Sequence, residues 1–365
     1  MAALSLPDRR DLPETLLSEL SFLLASLGIE TKGTVVQHRS VPEPATLIGS
    51  GKAEDIRRFC RSQMARYVVF NESLSPAQKL NLEKLIGVTV WDRPFVIMKI
   101  FERRANTAEA RLQVQLALTR YEIPHLKGLG LQMSRAGAGI GTRGPGETEF
   151  ERHRRRLERQ AREITRKLEN VRKQRRLVRE RRKKRGMPMV SLAGYTNSGK
   201  STLLKRLSGD SSIVTENRLF STLDTSVRRV PLPGGGAFLL SDTVGFIRSL
   251  PPELVLAFRA TLEEIREADL LLLILDAADP RAIETYEVII DTLMDIECHD
   301  LPRLLVLNKL DAAAIEDVME LSLVLAAKGE DIVRISALHG EGLSVLTAKI
   351  EQYLCAQDPW LIRPS

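Results

Sequence analysis

The stretch MVSLAGYTNSGKSTLLKRLSG, residues 189–209, carries the strongest architectural signal in the chain. An apolar run leads into Gly194-Tyr195-Thr196-Asn197-Ser198-Gly199-Lys200-Ser201-Thr202, and a helical pattern leads out. That is the strand–loop–helix setting that the spacing GxxxxGK followed by Ser or Thr requires. Glycines let backbone N–H groups wrap phosphates at a helix N-terminus. Lys200 then offers point charge to the β and γ oxygens of a nucleoside triphosphate, and the Ser201 hydroxyl is a ligand for Mg²⁺.

Outward from this loop, from Pro188 to about Tyr353, the apolar runs MVSLAG, AFLLSD, LLLLILD, RLLVLN and DIVRISA alternate with helices. Continuous apolar strands separated by helices predict a parallel sheet covered on both faces. AFLLSD ends in Asp242-Thr243-Val244-Gly245, where the carboxylate can hold Mg²⁺ through water and the Gly245 amide can sense a γ-phosphate. Asn308-Lys309-Leu310-Asp311 ends RLLVL. A carboxylate there accepts two hydrogen bonds from the N1–H and amine of guanine, a donor pair that adenine lacks. Ser336-Ala337-Leu338 follows the last strand and is expected to add a backbone amide to the guanine oxygen. GTP and GDP are therefore the expected ligands. Lys200 and Gly245 are the expected catalytic positions in this set, and Ser201 and Asp242 the metal ligands.

Upstream, residues 15 to 100 alternate helix and strand: LPETLLSELSFLLASLG, TKGTVVQHR, SGKAEDIRRFCRSQM, RYVVF, SPAQKLNLEKLIG with Ser75 at its cap, and VTVWDR. This predicts a small α/β domain. A helix over 106–121 and a much longer one over 147–185 then suggest a helical hairpin. In the second helix Leu157, Ala161, Ile164, Leu168, Val171 and Val178 follow heptad spacing interrupted by Arg175. The repeat barely exceeds three heptads, so packing against the partner helix is preferred to a dimeric coiled coil, and a monomer is expected. Gly186 and Pro188 stop the helix. The predicted organisation is an N-terminal α/β domain over 1–105, the hairpin over 106–186, the nucleotide domain over 187–355 and a short tail over 356–365.

At 365 residues, 43% hydrophobic and 28% charged, the chain can build two or three real cores. The first 30 residues contain acids and prolines and no continuous apolar segment, and no stretch reaches the length of a membrane span, so a cytoplasmic protein is expected, with partial membrane association as the alternative. Cys60, Cys298 and Cys355 lie far apart and match no metal spacing, which predicts reduced thiols. The net charge of +7 is uneven. Residues 151–185 hold 18 Lys/Arg against 5 Asp/Glu, a local +13 that leaves the rest of the chain at −6. A basic segment on an acidic body suits a polyanion.

The five nucleotide elements resemble a translation-factor-class GTPase domain, and residues 15–355 as a whole resemble the HflX family of ribosome-associated GTPases. The carriers are LSPAQKLNLEKLIGVTVWDR, RLQVQLA, GIGTRGPGETEFERHRR, GYTNSGKSTL, LFSTLDTSVRR and DTVGFIRSLPPELVLAFRATLEE. The resemblance implies a P-loop GTPase that hydrolyses GTP to GDP and phosphate. It also implies that Thr222 closes on Mg²⁺ and the γ-phosphate, and that the partner is the large ribosomal subunit with its rRNA. Such proteins split or rescue stalled ribosomes. Phe246 stands where many small GTPases place a water-orienting glutamine, so slow turnover that ribosomes stimulate is expected. Several related GTPases place an asparagine at the position of Asn197 to coordinate a monovalent cation, so K⁺ is a second candidate ion, the alternative being that Asn197 only hydrogen-bonds within its loop. Longer relatives continue into another small domain, whose functions are not carried over to this chain.

The stretch RAGAGIGTRGPGETEFERHRRR, residues 135–156, contains the spacing GxGxxG at Gly139 to Gly144, but no strand leads into it, which argues against a dinucleotide site. Its glycines allow backbone to approach folded RNA closely, and Arg135, Arg143, Arg152, Arg154, Arg155 and Arg156 are the expected RNA contacts. Two other readings share most of these features: a GTPase acting on another RNA or an assembly intermediate, and a protein-binding switch.

Overall fold

The computed structural model describes residues 1–5, 13–136, 145–184, 187–210, 226–242, 265–295, 297–298 and 300–357. They form two compact units, one mainly Met1–Arg103 with Arg111–Glu169, the other mainly Arg104–Ala110 with the residues after Glu169.

The first unit opens with β1 (Ala2–Ser5), α1 (Pro13–Ser26), β2 (Val35–His38), α2 (Ser50–Ser62), β3 (Tyr67–Phe70), α3 (Pro76–Ile86), β4 (Thr89–Asp92) and α4 (Arg93–Arg104). The sheet order is β2-β1-β3-β4, parallel throughout. Val68, Phe70 and Val90 share one face, where Ile56 and Cys60 of α2 and Leu82 and Ile86 of α3 close a core. Ser75 caps α3 in a reciprocal box with Gln78, and Gly87 ends the helix in the left-handed conformation at φ +80°. Two elements escape the sequence reading. β1 is AALS, buried at Ala2, Ala3 and Leu4 but too short to show a period. α4 starts directly after β4, where the Asp92 carboxylate accepts from the Phe95 amide at 3.0 Å.

The hairpin helices are α5 (Ala108–Ala136) and α6 (Pro145–Lys184). α5 runs well beyond the expected end near Tyr121, carrying Pro124 inside it. Proline forfeits one ladder bond and usually ends a helix; here the ring Nδ1 of His125 bonds the Tyr121 carbonyl at 2.7 Å beside the gap. Ile164 and Leu168 of the heptad row are buried against Leu116 of α5, with Leu112 and Ala161 alongside. That part of the row packs on the chain's own neighbouring helix.

The second unit comprises β5 (Met189–Gly194), α7 (Lys200–Ser208), β6 (Ser226–Pro231), β7 (Ala237–Asp242), β8 (Leu270–Asp276), α8 (Ala282–Asp295), β9 (Arg303–Asn308), a 3-10 turn over Leu310–Ala312, α9 (Ile315–Ala327), β10 (Ile332–Arg334) and α10 (Leu343–Gln357). Strand order is β10-β9-β8-β5-β7-β6. All pairings are parallel except β6 on β7. This antiparallel edge strand was not expected; SVRRVP buries only Val230 and so lacks the apolar run of its neighbours. On one face Leu203 and Leu204 of α7 and Leu346, Ile350 and Leu354 of α10 pack over Val190, Leu192, Leu272, Ile274 and Val306. Parallel strands bring Gly194, Asp242, Asp276 and Asn308 to one edge, and β5 lies where successive connections depart in opposite directions, the crevice position for ligands in such sheets.

Among the described residues no helix is long and apolar enough to cross a membrane. Cys60, Cys298 and Cys355 are free thiols, and burial pushes the Cys60 and Cys298 pKa values up.

Candidate functional site

The loop between β5 and α7 is forced into shape by close backbone approaches. A Cβ on Gly194 would meet the Ile274 carbonyl oxygen at 2.4 Å, and one on Gly199, at φ +96°, would meet Asn308 Nδ2 at 2.1 Å. Gly199 gives α7 no side-chain cap, which leaves first-turn amides available to an anion. Asn197 is exposed at the tip with φ +65°. Thr196 Oγ1 and Ser198 Oγ are buried without a hydrogen-bond partner, a cost that a bound polar group would relieve.

Lys200 folds back under this loop. Its Nζ donates to the Gly194 carbonyl at 3.1 Å and the Tyr195 carbonyl at 2.7 Å. Burial lowers its pKa to about 8, against the opposing pull of Asp242. Ser201 Oγ donates to Asp242 Oδ2 at 2.8 Å, joining the helix start to the end of β7. Two adjacent hard oxygen donors suit Mg²⁺, with the remaining ligands supplied by phosphate and water.

Asn308 ties three segments together. Its Nδ2 donates to the Ser198 carbonyl at 2.8 Å, and its Oδ1 accepts from the Ala337 amide at 2.9 Å. The Ala337 amide, one candidate for the guanine oxygen, is thus engaged by Asn308, while Leu338 is largely exposed. Asp311 is exposed and receives the Ser336 hydroxyl on Oδ1, which orients the carboxylate. Lys309, in the left-handed region at φ +67°, donates from Nζ to Asp276 Oδ2 at 2.6 Å. Two contributors went unnoticed in the sequence. Asp276 closes the apolar run of β8, and Arg206 of α7 donates to the Ala337 carbonyl at 3.2 Å and to the Leu338 carbonyl. The aspartate ending LLLLILD was a legible signal; the arginine was one among many.

Residues 194–202, Asp242, Asn308, Lys309, Asp311 and Ser336 to Leu338 therefore gather at one sheet edge. Thr222, Thr243, Val244, Gly245, Phe246 and Arg143 lie outside the described residues, as does the side chain of Arg135. The other expected RNA contacts sit on α6. Arg152, Arg155 and Arg156 are exposed and Arg154 is half-buried. Arg154 and Arg155 both donate to Glu151 Oε1, at 2.6 and 3.2 Å, so this acid partly offsets their charge.

Residues 14–102 match a family described as GTP-binding GTPase N-terminal, residues 104–182 one described as GTP-binding GTPase Middle Region, and residues 189–309 one described as 50S ribosome-binding GTPase. The GTPase HflX of Caldanaerobacter subterraneus subsp. tengcongensis is 43% identical over 341 residues, 93% of this chain and 77% of that protein. That of Escherichia coli K12 is 44% identical over 295 residues, 81% of this chain and 69% of that protein. The crystal structure of SsGBP in complex with GDP aligns over 98% of both chains with a TM-score of 0.51 and 24% identity, a likeness of fold. With this identity along nearly its whole length and a phosphate loop joined to a guanine-type Asn308-Lys309-Leu310-Asp311 loop, the chain belongs to the HflX family of GTPases, enzymes that hydrolyse GTP.

Proposed function

We propose that this chain is a cytoplasmic, monomeric factor that binds the large ribosomal subunit and its rRNA, spends GTP hydrolysis there, and splits or rescues stalled ribosomes. One observation carries the reading: a phosphate loop and a guanine-type loop, tied by Asn308, stand on a segment similar to a 50S ribosome-binding GTPase. The N-terminal α/β domain (1–105) and hairpin (106–186) provide the ribosome-facing part, the nucleotide domain (187–355) the chemistry, and 356–365 a tail.

In this reading Lys200 exchanges its two carbonyl partners for β and γ oxygens of GTP and recovers its full charge. Ser201, Thr222 and Asp242 would hold Mg²⁺, which when bound offsets charge on the same oxygens. The Gly245 amide would sense the γ-phosphate, and Asp311, steadied by Ser336, would accept from guanine. Phe246 offers the attacking water no hydrogen bond, so turnover is slow until the subunit completes the site. K⁺ beside Asn197 would supply part of the missing positive charge; stimulated turnover should then be faster in K⁺ than in Na⁺ at matched ionic strength, and Asn197→Ala should erase the difference. Equal rates in the parent would remove K⁺ from the proposal.

Asp311→Asn should lower GTP affinity by at least about 100-fold and admit xanthosine triphosphate, because an acceptor becomes a donor against the same base edge. Calorimetry with both nucleotides checks it, and unchanged GTP affinity would refute the assignment. Replacing Arg143, Arg154, Arg155 and Arg156 with glutamine should weaken subunit binding and flatten its salt dependence by roughly one unit of log–log slope for each phosphate no longer neutralised. GTP affinity should not change. Retention of the original slope would mean that these charges serve only solvation.

A further inference from the structure

Helix α9 carries two apolar faces. Val318, Leu321 and Leu325 are buried. Ile315, Met319 and Leu323 form a second row at i, i+4 and i+8, exposed by 73%, 56% and 73%. Single exposed apolar side chains are ordinary, but three large ones aligned along one helix form a contiguous patch of the kind that marks an interaction site. Among the described residues, nothing in the nucleotide site uses them.

The charges beside the row say what covers it. Glu316 and Glu320 form the adjacent i, i+4 row, and Asp317 lies farther round. The helix IEDVMELSLVLAA holds these three acids and no Lys or Arg. All three are exposed, and among the described residues none forms an ion pair or a side-chain hydrogen bond. A second copy of the chain is a poor occupant. Two-fold pairing would set these acids against their own copies, and three side chains fall well short of the roughly 800 Å² per partner that a stable dimer buries. An RNA backbone would be repelled by the same acids.

We infer that α9 docks a protein that offers an apolar surface rimmed by lysines or arginines. Resting on the function proposed above, that protein is a basic protein of the large ribosomal subunit. The row begins four residues after Asp311, so a partner seated there adjoins the base-recognition loop.

The test uses the full chain in two variants: Ile315→Ser/Met319→Ser/Leu323→Ser, and Glu316→Gln/Asp317→Asn/Glu320→Gln. Co-sedimentation with intact large subunits and with protein-free large-subunit rRNA is measured, together with GTP affinity and thermal midpoint as controls. Both variants should bind intact subunits about tenfold or more weakly, the second with a shallower salt dependence, and both should match the parent on protein-free rRNA and in the controls. Parent-like binding to intact subunits, or an equal loss on protein-free rRNA, would overturn the inference. A parent chain that does not sediment with subunits would overturn the ribosomal reading and, with it, the partner named here.

Discussion

Lys200→Met is expected to weaken GTP binding by on the order of 10³-fold while making the nucleotide-free protein more stable at neutral pH. The two effects share one cause. In the nucleotide-free fold the ammonium is buried and held by the carbonyls of Gly194 and Tyr195, and burial lowers its pKa from 10.5 to about 8. A lysine with a depressed folded pKa destabilises the fold at every pH below about 8, and that burden fades as pH rises toward 10.5, where the unfolded chain also loses its proton. A shift of this size corresponds to about 3 kcal/mol, an upper bound on what the methionine, similar in length and uncharged, would return. Phosphate oxygens reverse the situation by satisfying the ammonium, and removing one partner of a buried charged contact costs about 2–5 kcal/mol. Thermal midpoints from pH 7 to 10 in parent and variant, with GTP titrations, read both. The parent should gain stability toward pH 10 relative to the variant and lose GTP affinity above pH 8 by roughly tenfold per pH unit. A variant less stable than the parent at pH 7 would contradict the burial argument.

Gly199→Val is expected to remove phosphate and base recognition together. Its Cβ would stand 2.1 Å from Asn308 Nδ2, and φ +96° is a conformation that β-branched residues avoid. Backbone strain of this sort costs about 1–3 kcal/mol, and displacing Asn308 adds to it by breaking the bonds to Ser198 and Ala337. The midpoint should fall by several degrees, and neither GTP nor GDP should bind measurably. Gly209, at the other end of α7, is the comparison. It is also left-handed, at φ +69°, but nothing stands within 4 Å of its Cβ position. Gly209→Ala should therefore cost only about 1 kcal/mol and keep nucleotide affinity. If both variants bind alike, the contact with Asn308 does not govern the loop.

The nucleotide half of the chain was legible because its signals are local. LLLLILD, a short apolar run set between helical patterns, reads as a strand buried on both faces, and GYTNSGKS between a strand and a helix fixes which end of the sheet matters. What could not be read is long-range. Asn308 was legible only as a member of the guanine-type loop; that its side chain also ties the phosphate loop to the Ala337 turn is a relation across more than a hundred residues of chain. Arg206 supports that turn from α7 and carries no pattern of its own. The heptad row on α6 favoured an internal hairpin over a dimeric seam, and the packing of Leu116 against Ile164 and Leu168 agrees with the hairpin for the part of the row around those residues. β1 was too short for periodicity, and α4 was missed although Asp92 announced its start.

The most direct test of the proposed function is steady-state GTP turnover by the full chain, alone and with purified large subunits, whole ribosomes or protein-free rRNA. Slow turnover alone, raised strongly by large subunits and little by protein-free rRNA, is the predicted result. Equal rates with and without subunits, or full stimulation by protein-free rRNA, would contradict it.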